Sequence, residues 1–446
     1  MTDEEGTVSD RTLLASAEGW LGEREGEVIA LTSALVAAPT PNPPGDELAA
    51  AAVVERALSH YGLPKPRVLA EEPHRPNLIV RIDGARPGPH LALCGHLDTK
   101  PVGDAAPEWR SDPFQPTIEG DRLYGLGATD MKGACAAMVL AGAAFARIAD
   151  RAAGSLSLIF TADEEYGSRF GASYLVRSHA VEADEILLGE PAGVTEDWEA
   201  IRVISRGVTG FRVVVKGTQT HSSISDQLPT VNAVEAMATV LGALRRELRL
   251  RAPEHPLCPG GPTLNLGVKT LGGVGYGVLP GHAEFWSDIR TTPGMTQEAL
   301  AEDLDAALDR IRPLVPKADV SWEFAPALAW IAPTEVAADD PMVRAVEGAA
   351  RDVLGAAPPL AAFPGGTDAW PFHGQGGIPT LAAFGPGLLP LAHGPNEWVS
   401  ILSLQQAPRV FVNAAIRYGK GMSGSGRPET ESGSPRSPRH GRPSPP

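Results

Sequence analysis

Three short apolar runs in this chain each break off at a histidine or an acidic residue, and this restricts the fold more than any other feature. Residues 91–94 (LALC) lead into Gly95-His96, residues 155–161 (SLSLIFT) into Ala162-Asp163-Glu164-Glu165, and residues 185–188 (EILL) into Gly189-Glu190. Apolar runs of this length, bounded by turn residues, fit buried strands. Between the first two runs a glycine-punctuated turn puts Asp130 just ahead of an alanine-rich helix expected over 133–148. Strand, acidic loop, helix and strand in alternation predict an α/β layer on a mostly parallel sheet. Ligands of such sheets sit beyond the carboxyl ends of the strands. His96, Glu164, Glu165 and Glu190 fall at positions of that kind, with Asp130 in a neighbouring loop.

His96 and Asp98 lie two residues apart, the side-chain period of an extended chain, so both point to one side. An imidazole beside a carboxylate suits a metal site, one ring nitrogen binding the ion while the acid fixes the other. Taken alone, the pair better fits a histidine capped in an ordinary turn, because two-residue matches are common by chance, and Asp163-Glu164-Glu165 fits a solvated turn. Acids that follow a run as apolar as 156–160, however, crowd like charges at the edge of a core, and a cation relieves that repulsion. A dinuclear hydrolytic site needs two terminal ligand pairs, a carboxylate able to bridge, and an unligated base. His96, Asp130, Glu165, Glu190 and His393 can fill the ligand positions, leaving Glu164 as the base.

The rest of the chain frames this centre. Residues 1–24 read as polar and peripheral. Helices are expected from Gly26 to the prolines at Pro39 and over 47–61, with a further strand at 77–82 (NLIVRI). From Val203 the texture changes to alternating strands, with helices over 231–248 and 297–311 and strands near 264–270, 282–292 and 319–323. That β-α-β-β-α-β order predicts a small α+β, ferredoxin-like unit inserted into the larger one. After Pro341 the α/β character returns, with a helix over 342–354, the segment GGTDAW, the strand IPTLAAF and a last helix over 402–418. The expected division is 25–204 with 323–420 for the catalytic unit, 205–322 for the insert, and a Ser/Pro/Gly/Arg-rich disordered tail over 421–446.

Bulk properties narrow the class. With 446 residues the chain can bury a large core, and its net charge of −16 argues against nucleic acid or an anionic membrane as partner. Cys94, Cys135 and Cys258 are too few for a disulfide framework, so a reducing, cytoplasmic setting is expected. The acidic N-terminus has no signal-peptide pattern and no run is long enough to span a bilayer.

Taken together, the segments LVAAPTPNPPGDE, GHLDTKP, GATDMKGACAAM, TADEEYG, GEP, GVTGFRVVVKG…TH, LPGHAEFWSDIR, GGTDA and FGPG…AHGPNE resemble the co-catalytic zinc aminoacylase/carboxypeptidase family. Acetylornithine deacetylase, succinyl-diaminopimelate desuccinylase, glutamate carboxypeptidase and dipeptidases belong to it, and the resemblance runs from about Glu27 to Tyr418. It implies an α/β zinc-hydrolase unit, mostly parallel in its sheet, carrying a lid that also dimerises. It implies two Zn²⁺ ions, or Co²⁺ or Mn²⁺, one held by His96, Asp130 and Glu190 and the other by Asp130, Glu165 and His393. Asp98 would orient His96, Glu164 would move the proton of the attacking water, and a cis peptide would follow Asp130.

By the same resemblance His221 reaches a partner subunit's site to stabilise the oxyanion, and Arg290, Gly366 and Thr367, with Gly365, bind the substrate carboxylate. Without the family, His221 reads as a surface residue, Arg290 as a solvated strand arginine and the glycine pair as a turn. Gly277 stands where relatives often carry asparagine, so substrate contacts transfer less directly than metal ligands. Cys135 is read as a small helix-packing residue. The expected activity is hydrolysis of an N-acyl amino acid amide by a homodimer. The alternatives are a metallo-dipeptidase or carboxypeptidase, or a binding protein without catalysis; a dinuclear phosphatase is disfavoured because no basic phosphate loop is present.

Overall fold

The computed structural model describes residues 10–328 and 330–421, so the tail expected to be disordered lies outside the described residues from 422 on. Its centre is a six-stranded sheet in the order Arg67–Leu69, Asn77–Asp83, Ala153–Thr161, Arg86–His96, Glu185–Leu188 and Thr380–Leu381. The four strands from Ala153–Thr161 onward run parallel. The two at the other edge pair antiparallel, so NLIVRI runs against its neighbour rather than with it. The expected strand IPTLAAF shortens to Thr380–Leu381.

The apolar runs are buried on both faces because alternate residues serve different cores. Leu91, Leu93, Leu156, Leu158 and Phe160 join one hydrophobic cluster. Ala92, Cys94, Ile159, Ile186 and Leu188 join the cluster on the opposite face. This is the two-residue period of a strand, with helices needed on both sides. The helix Gly133–Ala146 is buried from Gly133 through Phe145, which fits its lack of a polar face. It lies against the helix Ile401–Gly419, whose first turn is capped where Ser400 Oγ accepts the Ser403 N–H (3.2 Å).

One difference lies at the start of the chain. Residues 10–22, read from sequence as peripheral, form the helix Asp10–Gly22. Leu13, Ala17 and Leu21, four residues apart, are buried on one face against the body of the protein. Three apolar residues spaced over such a short segment give a weak signal amid its charges.

A second sheet carries the order Thr263–Gly272, His282–Thr291, Gly207–Lys216 and Asp319–Phe324, all antiparallel. Phe211, Val213, Val215, Phe285 and Ile289 point from it into a core of their own, closed by Val240 and Leu244 of Ala233–Glu247 and Leu300, Leu304 and Leu308 of Gln297–Ile311. Asn232 and Thr296 cap these two helices at their N-termini. The chain enters and leaves this region side by side, for Ser205 pairs with Thr334 and Val208 bridges Ile331. No helix among the described residues is long and apolar enough to cross a membrane.

Candidate metal centre

His96 is the last residue of its strand, and Glu164 and Glu165 form a tight turn just after the neighbouring strand ends at Thr161. Glu190 follows the strand that ends at Leu188, and Asp130 sits in the turn before the helix Gly133–Ala146. All of these lie at the carboxyl edge of the parallel strands. Gly95 makes the approach of the Asp130 turn possible: a Cβ there would stand 2.7 Å from Met131 Cε and 3.0 Å from Cys135 Sγ. The peptide between Asp130 and Met131 is cis, as the resemblance implies.

Asp130 turns one carboxylate oxygen to each imidazole. Its Oδ1 is 3.0 Å from His96 Nε2 and its Oδ2 is 3.2 Å from His393 Nε2. Glu190 Oε1 lies 3.7 Å from His96 Nε2, and Glu165 Oε1 lies 3.1 Å from His393 Nε2. Ligand atoms of His96, Asp130 and Glu165 fall within 4.8 Å of one another, as do those of His96, Glu164 and Glu190. Geometry alone therefore does not separate Glu164 from the five residues read as ligands. His96 Nδ1 lies 3.0 Å from the Asp98 carbonyl and 3.4 Å from Asp98 Oδ1. Asp98 in turn accepts the backbone N–H of Glu164 (3.2 Å) and of Glu165 (3.1 Å), so one carboxylate joins the histidine to the acidic turn.

The electrostatics are those of a cluster short of positive charge. Burial, reinforced by Glu190 and Glu165, pushes the Glu164 carboxyl well above its ordinary range although His96 opposes it. Burial and the Asp130 charge do the same to Glu190. Burial works against a charged imidazole, yet the Asp130 and Glu165 hydrogen bonds carry His393 up to about 10. His96 likewise rises well above the usual histidine value against its burial, through Asp130 and Asp98. Both imidazoles act as substitutes for cations. A donor set of imidazole nitrogen and carboxylate oxygen without thiolate fits Zn²⁺, Co²⁺ or Mn²⁺. Cys135 is spent on a hydrogen bond from Sγ to the His96 carbonyl (3.2 Å).

Other residues named from sequence stand apart from this cluster. His221 is exposed on a short ribbon, paired with Val278, and its Nδ1 accepts the Ser223 N–H (3.2 Å). Arg290 sits on the second sheet, its Nε 3.9 Å from Asp288 Oδ1. Thr367 is buried and donates to Ser205 Oγ (3.3 Å), while Gly366 and Gly365 are half-buried beside it. Gly277 has φ +83, and its carbonyl accepts the Ser222 N–H (3.0 Å) next to His221.

The sequence reading assigned no role to four further groups around the cluster. Lys100 ion-pairs with Glu165 Oε2 (3.2 Å) and also donates to the Glu165 carbonyl. Asn42 Nδ2 donates to Asp98 Oδ2 (2.8 Å) and to Asp163 Oδ1 (3.0 Å). Asp368, pushed up to about 6 by burial, accepts Thr161 Oγ1 (2.9 Å) and Ser168 Oγ (2.5 Å). Glu397 accepts backbone N–H groups of the Asp130 turn. The signal in hand for all four was membership of the quoted segments GHLDTKP, NPPGDE, GGTDA and AHGPNE.

The sequence profile of peptidase family M20/M25/M40 matches residues 92–417. The chain belongs to this family. It is a metal-dependent hydrolase of amide bonds. Succinyl-diaminopimelate desuccinylase of Alkalilimnicola ehrlichii is 31% identical over 330 residues, 73% of this chain and 82% of that one. A di-peptidase of Saccharomyces cerevisiae superposes with a TM-score of 0.71 at 16% identity, covering 92% of this chain and 99% of its own. A dinuclear metal binding peptidase of the family from Bacillus subtilis superposes with a TM-score of 0.64 at 17% identity, covering 89% and 99%. The two structural likenesses speak for the fold, the α/β architecture of the family's peptidases.

Proposed function

We propose that this enzyme hydrolyses the amide of an N-acyl amino acid, in the manner of the succinyl-diaminopimelate desuccinylases it resembles, using two divalent metal ions. The observation that carries the reading is Asp130, with one oxygen 3.0 Å from His96 and the other 3.2 Å from His393. A carboxylate so disposed is suited to bridge. His96, Asp130 and Glu190 would hold one ion and Asp130, Glu165 and His393 the other, with Zn²⁺ the first candidate and Co²⁺ or Mn²⁺ substitutes. Ions bound there supply Lewis acidity, polarising the scissile carbonyl and acidifying a water. Glu164 would take a proton from the attacking water as its oxygen bonds to the carbonyl carbon, and would return it to the departing amine as the C–N bond breaks. A carboxylate in that role is useful when it titrates near the working pH. Asp98 keeps His96 in register through Nδ1.

In this reading residues 25–204 and 323–420 form the catalytic unit, and residues 205–322 a lid through which two copies pair. His221 serves the partner's site, which accords with its exposure. Arg290, Gly366 and Thr367 receive the substrate carboxylate. Three buried free cysteines accord with a cytoplasmic setting.

The dipeptidase or carboxypeptidase reading keeps the same residues, and the GGTDA segment favours it. The deciding experiment presents N-succinyl amino acids, N-acetyl amino acids and dipeptides to enzyme loaded with Zn²⁺ or Co²⁺. Turnover of an N-acyl substrate that stops on chelation is the expected outcome. Preference for dipeptides selects the second reading, and metal binding without any turnover overturns both.

A further inference from the structure

The geometry points to Glu397 as a positioning residue that sets Asp130 between the two histidines; this rests on the dinuclear reading above. Glu397 is buried, at 1% exposure, and its side-chain hydrogen bonds go to backbone amides and not to the side chains of the cluster. Its carboxylate is instead spent on main chain. Oε1 accepts the N–H of Thr129 (2.8 Å) and of Asp130 (3.1 Å), and Oε2 accepts the N–H of Gly127 (3.0 Å). Its own carbonyl accepts the Gly125 N–H (2.9 Å). One residue thus engages four amides spread over 125–130, the turn that ends on Asp130.

The flanks of that turn are held by Leu126 N–H to the Pro113 carbonyl (2.8 Å) and Lys132 N–H to the Gly127 carbonyl (2.8 Å), whereas the amides of Thr129 and Asp130 are held by Glu397. Asp130 and Met131 have non-helical backbone angles, and Gly127 has φ +80, so no regular ladder fixes them. Glu397 lies four residues after His393, in the segment AHGPNE. The loop that supplies one imidazole therefore also grips the backbone of the carboxylate that imidazole faces. A displacement of either loop moves both, and the 3.2 Å spacing of His393 Nε2 and Asp130 Oδ2 is held from behind. Backbone N–H groups that donate to a carboxylate form charge-assisted bonds, among the stronger available to a protein, and here they oppose the burial that raises Glu397 to about 8. Outer partners of metal ligands are worth about tenfold to a hundredfold in metal affinity.

Glu397→Gln is the sharpest probe, because it keeps the size and one acceptor oxygen while turning an amide N–H₂ toward the Gly127 N–H. Metal-free wild type and variant are titrated with Co²⁺ and followed by visible absorption, with melting temperatures measured alongside. Wild type is expected to take two equivalents. The variant is expected to bind the second about tenfold or more weakly, with an altered absorption band, and to lose kcat while KM stays within twofold. Thr129→Val is the control, since it removes the bond from Thr129 Oγ1 to the Trp398 carbonyl (2.7 Å) at the same junction and leaves the Glu397 bonds intact. It is expected to lower the melting temperature and keep the wild-type titration. Should Glu397→Gln fail to fold, Glu397→Asp, which keeps the charge at shorter reach, carries the same expectation. A variant titration and spectrum equal to wild type overturn the inference, as does an equal loss in Thr129→Val. Wild type that binds no Co²⁺ overturns the dinuclear reading instead, so the two failures are told apart.

Discussion

Arg75 Nη2 donates to Asp163 Oδ1 across 2.8 Å, and this ion pair, with side chains only 8% and 3% exposed, ties the acidic turn to a loop far away in sequence. The same guanidinium uses Nε to hold Glu47, at 2.8 Å from Oε2 and 3.1 Å from Oε1. Asp163 itself has φ +65, one position before Glu164. Gly45 permits the arrangement, since a Cβ at its φ of +83 would lie 2.2 Å from Arg75 Nη1. Replacing Arg75 with Met leaves two buried carboxylates without their cation. The expected loss is about 3–5 kcal/mol, the usual consequence of breaking a buried ion pair from one side. Urea unfolding at pH 8 measures it, and an unchanged midpoint refutes the account.

Glu164→Gln tests the proposed base. The variant is expected to keep its metal ions by elemental analysis, since the proposed ligands are untouched, and to lose about a hundredfold or more in kcat. Turnover near that of wild type removes Glu164 from the mechanism. Loss of metal together with activity would mark it as a ligand, which its position among the ligand atoms of His96 and Glu190 makes a real alternative.

Stability is expected to fall with rising pH through a group remote from the cluster. Burial, with the neighbouring Asp340, raises Glu185 from 4.5 to about 8, while a hydrogen bond from Tyr418 opposes the shift. Between those two values the folded chain holds a proton that the unfolded chain has released. Raising the pH across that window therefore favours unfolding, and the effect is complete above about 8. Glu185→Gln removes the titration. Melting temperature plotted against pH is expected to decline less steeply in the variant from pH 5 to 8, and parallel curves contradict the assignment.

Mixing inactive subunits tests the proposed reach of His221. If it serves its partner, His221→Ala and Glu164→Gln dimers allowed to exchange form mixed dimers with one competent site. Random exchange then restores about a quarter of wild-type activity. No recovery after verified exchange, or a monomer by light scattering, removes the partner role.

The parts of this protein written in local pattern were readable in the sequence. The runs at 91–94, 155–161 and 185–188 form strands, because an apolar stretch that satisfies two faces leaves few alternatives. His96, Glu165 and Glu190 come together because each follows such a strand at one edge of the sheet, and Asp130 and His393 reach the same edge from separate loops. What stayed hidden depends on contacts across long separations. Asn42 meets Asp163 over 121 positions and Glu397 meets Asp130 over 267. An aspartate in an acidic run carries no mark of which arginine will neutralise it. Asp163 was legible only as one of three adjacent acids, although its side chain faces Arg75 and Asn42 rather than the cluster. The direction of NLIVRI was hidden for a related reason, since a strand's own residues do not say which way its neighbour runs.

The pairing of Ser205 with Thr334, and of Val208 with Ile331, means that the chain departs for the four-stranded sheet and returns from it along one double-stranded stalk, while Cys258 and Leu257 pack back onto the main core. A piece of different length or surface that keeps this packing can be spliced in at the stalk without threading a new path through the parallel sheet. Insertions of this kind are tolerated where both ends of a segment lie close together, as Ser205 and Thr334 do. A chain in which a short glycine-rich bridge joins Ser205 directly to Thr334 would retain every residue of the histidine–carboxylate cluster. If the proposed lid helps select the substrate, preference would then change by exchange of one segment while the histidine–carboxylate cluster is inherited unchanged.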